Sequence, residues 1–367
     1  MTSLAVVWPR RARCGVADYA RTLAESFPPD VRLVVVDLPE HGPPSAWRAA
    51  AAAARSADVV HVHYENALFG SIKPYRDRFA RFLRALHRPC LVTLHGPLPP
   101  LVARWREQRP YRAADLMRDL AYLPFFAGWQ RRHYRLAEHW VVHTPELEAD
   151  VAGCVGASRV TRLPHPVPPS RRRWRLEEAE AGTVTTLGFV KPHKGYDDLI
   201  AVFAERPSWR WVLAGAPQDE PDEAYARGLC AELQRRGMGE RVTLTGYLER
   251  DEIERRAVRA RLAVFPFRHA SGSGSIAWAI ALAMPVAATD LPSVRALVEA
   301  GAGIALLPAD PARWGEALDR VLDDAEGLRA LARRNAEFAA RETFAACAAR
   351  LAGIARRLAQ PARARRS

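Results

Sequence analysis

Short apolar runs of strand length alternate with helical segments along nearly the whole chain. The alternation is interrupted once, at residues 164–174 (PHPVPPSRRRW), and then starts again. That order leaves few folds open, because a strand followed by a helix returns the chain for another strand lying parallel to the first. Strand patterns fall at 4–8, 31–38, 58–63, 90–95, 139–143 and 160–163, then at 183–188, 209–215, 242–247, 262–265, 286–289 and 303–307. A chain of 367 residues is long for a single core. The proline- and arginine-rich break therefore reads as an interdomain connection. The expectation is α/β: two domains of similar size with parallel sheets whose strand ends face a central cleft.

The second half contains the stretch with the most chemistry in it, residues 265–286 (FPFRHASGSGSIAWAIALAMPV). A strand end runs into a loop of serine and glycine, Ser271, Gly272, Ser273, Gly274 and Ser275, and then into an apolar helix. Amides at a helix start lack intrahelical partners and sit at the positive end of the helix dipole, and glycine lets a ligand approach them. A phosphate fits such a place. The bland alternative, a serine-capped helix after a turn, explains the same residues. Lysine adds to the first reading. The chain has only Lys73, Lys191 and Lys194, and two of these share the loop of residues 188–195 (GFVKPHKG) after a strand. A flexible cation in a strand-to-helix loop suits a phosphate, although a lone exposed lysine would mean nothing.

Other classes lose ground on composition. No run of about 18 to 20 apolar residues is present to span a bilayer, and Met1-Thr-Ser-Leu4 leads straight into a strand without a signal-peptide layout. The expected location is cytoplasmic, with the inner face of the membrane as a peripheral alternative. Cys14, Cys90, Cys154, Cys230 and Cys347 lie far apart without CxxC pairs, so neither zinc nor a disulfide framework is indicated. The net charge of +13 invites nucleic acid, but its arginines are spread along the chain and no nucleic-acid module is recognisable. An anionic membrane or a phosphate-bearing substrate accounts for the charge as well. No GxGxxG follows the first strand, against a dinucleotide oxidoreductase.

In the first half, Gly15 lies near a helix start, and residues 58–66 (DVVHVHYEN) run from a strand into a loop carrying His61, His63, Tyr64, Glu65 and Asn66. Alternation puts His61 and His63 on one face of the strand. A metal pair is conceivable there, but without a third ligand nearby a polar site-lining loop is the preferred reading. His95 closes the next strand and enters another loop. Residues 71–87 read as a basic amphipathic helix, either packed on a core or resting on a membrane surface.

Taken in order, these pieces resemble the GT-B fold glycosyltransferases, and within them the large retaining family 4, mannosyltransferase-like. The resemblance spans nearly the whole chain. Residues 14–19 (CGVADY) look like that family's amino-terminal glycine loop, 58–65 with Phe69-Gly70 like its site-lining segment, and 92–95 (VTLH) like its Thr-x-His segment. Gly188 to Gly195 resembles the loop whose lysine binds the donor diphosphate, here Lys194. Residues 242–248 resemble the strand and loop that pack on the nucleobase, offering Tyr247 and Leu248, and Asp310-Pro311 closes a Pro-x-Asp-Pro segment.

The resemblance implies two Rossmann-like domains: residues 1–168 on the acceptor side and 169–345 binding the nucleotide sugar. Residues 346–367 form a final helix that crosses back, with a frayed basic tail. It implies transfer from a nucleotide-diphosphate sugar to a glycan, lipid-linked or small-molecule acceptor, with retention, without metal or cofactor, and without nucleic acid. His95, Lys194 and Glu65 become the candidate catalytic residues. Gly15, Gly188, Lys191, Lys194, Gly215, Tyr247, Leu248, His269, Ser271, Gly272, Ser273, Gly274 and Ser275 become candidates for holding the donor. Three departures stand out: Phe189 where the family has arginine, and Ala270 and Trp278 where it has two glutamates. Lys191 and the serine-glycine turn would replace the lost contacts. A homologue that binds sugar nucleotide without turnover is the alternative, and a sugar-nucleotide epimerase of the same fold a weaker one.

Overall fold

The computed structural model describes residues 1–10, 14–39, 44–65, 69, 77–96, 113–269 and 272–364. The chain divides into two compact units, Met1–Leu163 with Ala345–Ser367, and Pro164–Phe344.

The first unit is built on β1 (Thr2–Arg10), β2 (Val31–Pro39), β3 (Val59–Tyr64), β4 (Cys90–Leu94), β5 (His139–Val142) and β6 (Val160–Arg162). They form one parallel sheet in the order β2-β1-β3-β4-β5-β6. Residues 2–9 of β1 and all of β3 are buried. Both faces of the sheet are covered, as near-continuous apolar strands require. The helix Arg78–Leu86 turns Phe79, Phe82, Leu83 and Leu86 into the core. Of the two sequence readings of this helix, its apolar side follows the core-packed one. Residues 71–76, where that reading began, lie outside the described residues. Among the described residues no helix is long and apolar enough to cross a membrane.

The second unit is built on β7 (Glu180–Leu187), β8 (Arg210–Ala214), β9 (Val242–Leu244), β10 (Ala260–Phe265), β11 (Val286–Thr289) and β12 (Ile304–Leu307), all parallel, in the order β12-β11-β10-β7-β8-β9. Each sheet has one place where successive connections leave in opposite directions, between β1 and β3 and between β7 and β10. Beyond the carboxyl ends of strands at such a point, no helix start is blocked by a crossing chain, and ligands gather there.

Two local readings change. The final helix begins at Phe344, slightly before the expected residue 346, and follows a separate helix, Ala325–Arg341. Between them the Glu342 carbonyl accepts from Val167 N–H at 2.8 Å and Thr343 pairs with Val167 in a parallel bridge. A tertiary contact breaks a segment whose own composition favours helix. The helix after the serine-glycine turn runs Gly274–Ala281, earlier than the apolar run suggests. It ends as Ala283 enters the left-handed region at φ 52°.

Candidate functional site

The loops after β7 and β10 meet at the switch point of the second sheet. The first leaves β7 through Gly188, whose φ of 98° only glycine adopts without strain. A Cβ there would collide with Ser275 Oγ and press on Lys194 Nζ. Gly215 is needed for the same approach, since a side chain would strike the Gly188 carbonyl. The loop is sewn down by Val190 N–H to Ala216 O at 2.9 Å and closes in a 3-10 turn, Pro192–Lys194, before Gly195 at φ 66°.

That turn carries Lys194 inward. Its side chain is buried, only 8% of the residue being exposed, and Nζ donates to Ser275 Oγ at 3.0 Å while lying 5.2 Å from the centre of the Phe267 ring. The residues are 81 positions apart in sequence. Burial, with Lys191 adding to it, pulls the Lys194 ammonium down to about 7, and Asp222 opposes the fall. Lys191 pairs with the Asp222 carboxylate at 3.1 Å.

From the β10 side, Ser273 Oγ caps the helix Gly274–Ala281 by accepting from Ile276 N–H at 3.2 Å. Gly272 stands exposed at φ 117°. The capped-helix reading and the anion-site reading thus describe one object: the cap fixes the turn, and the turn puts Ser275 on the lysine. His193 and His269 face each other with ring centres 5.1 Å apart, and Arg268 N–H donates to the His193 carbonyl at 2.9 Å, tying the two loops together. Burial first, then Lys194, His269 and Lys191, drive His193 down to about 3, so it stands neutral beside the lysines. Ser271 lies outside the described residues. Tyr247 and Leu248 follow β9, with Tyr247 51% exposed, beyond a turn at Gly246. The strand stops at Leu244, short of the expected residue 247, because Gly246 takes a left-handed φ of 69°.

In the first unit, the loops after β1, β3 and β4 carry the other candidates. Gly15 opens the helix Gly15–Ala24 and is exposed. Glu65 and His95 stand half-buried directly after β3 and β4. His95 Nε2 is 3.1 Å from His63 Nδ1, and His61 Nε2 is 2.8 Å from Thr93 Oγ1. The two strand histidines thus bond along the sheet. Among the described residues no group of three or more His, Cys, Asp or Glu is arranged to hold a metal.

Sequence reasoning passed over Phe267, Asp222 and Tyr19. Tyr19 packs its ring against His95 at 4.8 Å and His63 at 5.5 Å. Its position at the end of the CGVADY segment was the available signal. Asp222 and Phe267 gave none, because their partners are set by strand order.

Comparison with known proteins fits this geometry. Two parallel sheets with this loop chemistry at their strand ends define a GT-B fold. The sucrose-phosphate synthase of Thermosynechococcus elongatus superposes with a TM-score of 0.72 at 18% identity, covering 98% of this chain and 99% of that one. Anabaena HepE in complex with UDP and glucose gives 0.70 at 14%, covering 96% and 98%. Residues 171–338 match the family model Glycosyl transferases group 1. The alpha-D-kanosaminyltransferase of Streptomyces kanamyceticus is 26% identical over 319 residues, 82% of this chain and 77% of that protein. The D-inositol 3-phosphate glycosyltransferase of Thermobispora bispora is 32% identical over 203 residues, 52% of this chain and 46% of that protein. The chain is a GT-B glycosyltransferase whose second unit carries the group 1 domain.

Proposed function

We propose that this glycosyltransferase belongs to the retaining, mannosyltransferase-like family 4. On this reading it moves a hexosyl group from a nucleoside diphosphate sugar to an acceptor hydroxyl, keeping the anomeric configuration and needing no metal. One observation carries the reading: a buried lysine ammonium at the start of a capped helix, 3.0 Å from Ser275 Oγ. The departing diphosphate needs positive charge and amide donors as the glycosidic bond breaks, and preorganised groups of this kind are often the largest catalytic contribution. Lys194 would meet the phosphate oxygens with the Ser273–Ser275 turn, Lys191 would add charge at the rim, and Gly188 and Gly215 keep the space open. Tyr247 and Leu248 would flank the base. His95 would contact the sugar and Glu65 orient the acceptor.

The second family glutamate position supports a departure in ribose recognition. Trp278 stands there, and its indole N–H donates to Glu254 Oε1 at 3.0 Å. Glu254 also accepts from Ser170 Oγ at 2.7 Å and Arg250 Nε at 2.8 Å. This carboxylate is already engaged on three sides. Ala270, at the first glutamate position, lies outside the described residues. The alternative, a homologue that binds donor without turnover, draws on these same two positions. Among acceptors, the inositol 3-phosphate in the Thermobispora relative's name makes small anionic molecules the first class to try. Any membrane contact of the basic first unit would be electrostatic.

The test begins with UDP, the nucleotide in the HepE complex, alongside GDP, ADP and TDP and their sugars, by thermal shift. Transfer assays then follow, with the product's anomeric configuration read by NMR and chelator added in parallel. Lys194→Ala is expected to abolish transfer at saturating donor. Intact transfer in that variant would remove the diphosphate role.

A further inference from the structure

His61 and His63 sit on one face of β3, both fully buried. His63 Nδ1 and His95 Nε2 are 3.1 Å apart, close enough for a hydrogen bond that one ring must donate. Burial, reinforced by His61, His95 and His143, keeps His63 well below the ordinary histidine range and so neutral. A neutral imidazole has one hydrogen to place.

The far nitrogen of His63 decides where it goes. Nε2 is buried and has no hydrogen-bond partner among the described residues. If His63 accepted at Nδ1, its own hydrogen would sit on Nε2 as a buried N–H with no acceptor. If it donates at Nδ1, Nε2 is only a bare lone pair. Orphaned buried N–H groups are the rarer fault. The same arrangement recurs beside it. The Leu163 carbonyl, 3.0 Å from His143 Nδ1, can only accept, so His143 carries its hydrogen on Nδ1. His61 contacts Thr93 Oγ1 through Nε2, and its Nδ1 has no partner among the described residues. Tyr19 packs on His63, His95 and His143 with ring centres 5.5, 4.8 and 5.6 Å away, which restricts their rotation.

We infer that His63 is a positioning residue: it donates its Nδ1 hydrogen to His95 Nε2 and so fixes His95 as the tautomer protonated on Nδ1. In that tautomer the only lone pair of His95 is occupied, and its Nδ1 can donate but not accept. It acts as a hydrogen-bond donor to a sugar or acceptor oxygen, and removal of the acceptor proton falls to another group. The inference rests on the proposed reading of His95 as a sugar contact.

The tautomer is read without any substrate. In the full chain labelled with 15N-histidine, long-range 1H–15N correlation distinguishes protonated from bare ring nitrogens, and His95→Asn and His63→Asn assign the signals. The expected result near neutral pH is His95 with hydrogen on Nδ1 and a bare Nε2. That pattern should persist in His63→Asn, whose amide keeps a donor close to the Nδ1 position, and give way to an Nε2-protonated population in His63→Phe. A wild-type spectrum with hydrogen on His95 Nε2 overturns the inference, and so does an unchanged His95 in His63→Phe; the first needs no variant to fold. In transfer assays His63→Phe should lower kcat by about tenfold to a hundredfold with KM little changed, and His63→Asn should restore most of it. If His95→Ala transfers sugar normally, the reading of His95 fails while the tautomer result stands by itself.

Discussion

Binding of a nucleoside diphosphate should draw a proton from solution, and the amount follows from Lys194. Its ammonium is held at about 7 by burial, against a usual lysine value of 10.5. Charging it in the empty site therefore costs about 5 kcal/mol relative to water. Near pH 8 about nine-tenths of the population is neutral, because one unit above the pKa leaves about a tenth protonated. A diphosphate beside Nζ favours the ammonium, so binding near pH 8 should take up about 0.9 proton and near pH 6 only about 0.1. Affinity should accordingly fall about tenfold per pH unit above 7.

The assay is titration calorimetry with UDP, or whichever diphosphate the shift screen selects, in buffers of different ionisation enthalpy. Near pH 8 the nucleotide itself is fully ionised. The slope of observed against buffer enthalpy gives the proton number. Lys194→Met should bind weakly with a slope near zero. Wild-type binding near pH 8 without proton uptake, or equal uptake in the methionine variant, would refute the assignment of the charge to Lys194.

The ligand-free protein should show the opposite face of the same linkage. A lysine whose folded pKa is depressed destabilises most below about 7, where both states are protonated, and the penalty is relieved as pH rises toward the unfolded value. Lys194→Met should thus melt above wild type near pH 6, with the gap closing toward pH 10. Asp222→Asn removes the carboxylate that raises the Lys194 pKa, so the proton-uptake profile should move to lower pH, as calorimetry at several pH values would show. Gly188→Ala forces a side chain into φ 98° and against Ser275; donor binding should be lost with about 1 to 3 kcal/mol of stability, measured by thermal shift and urea unfolding. Ala283→Gly relieves a left-handed alanine and should raise stability by about 1 kcal/mol in urea.

The sheets were legible because their strands are buried on both faces and so read as unbroken apolar runs, as in β1 and β10. Lys194 was legible because a loop lysine between glycines is rare in a chain with three lysines. Its contact with Ser275 was not, since it depends on β10 lying next to β7 although two strands and three α-helices come between them in sequence. Nor was the engagement of Trp278 with Glu254, which joins two helices whose own sequences give no reason to meet. The break at Glu342 escaped for the converse reason. The residues on either side of it read as helix, and Val167, which pairs with the break, lies far back in the chain.

Under the proposed reading, the two units solve different electrostatic problems at corresponding places in their sheets. The second unit gathers cations, Lys194 and Lys191, and keeps one of them close to neutrality until an anion arrives. The first gathers histidines at its strand ends and burial strips them of charge, His61 to about 3 and His143 to about 4. Neutral rings in fixed tautomers direct hydrogen bonds without attracting stray anions. Sugar hydroxyls need that kind of partner, whereas the leaving diphosphate needs charge.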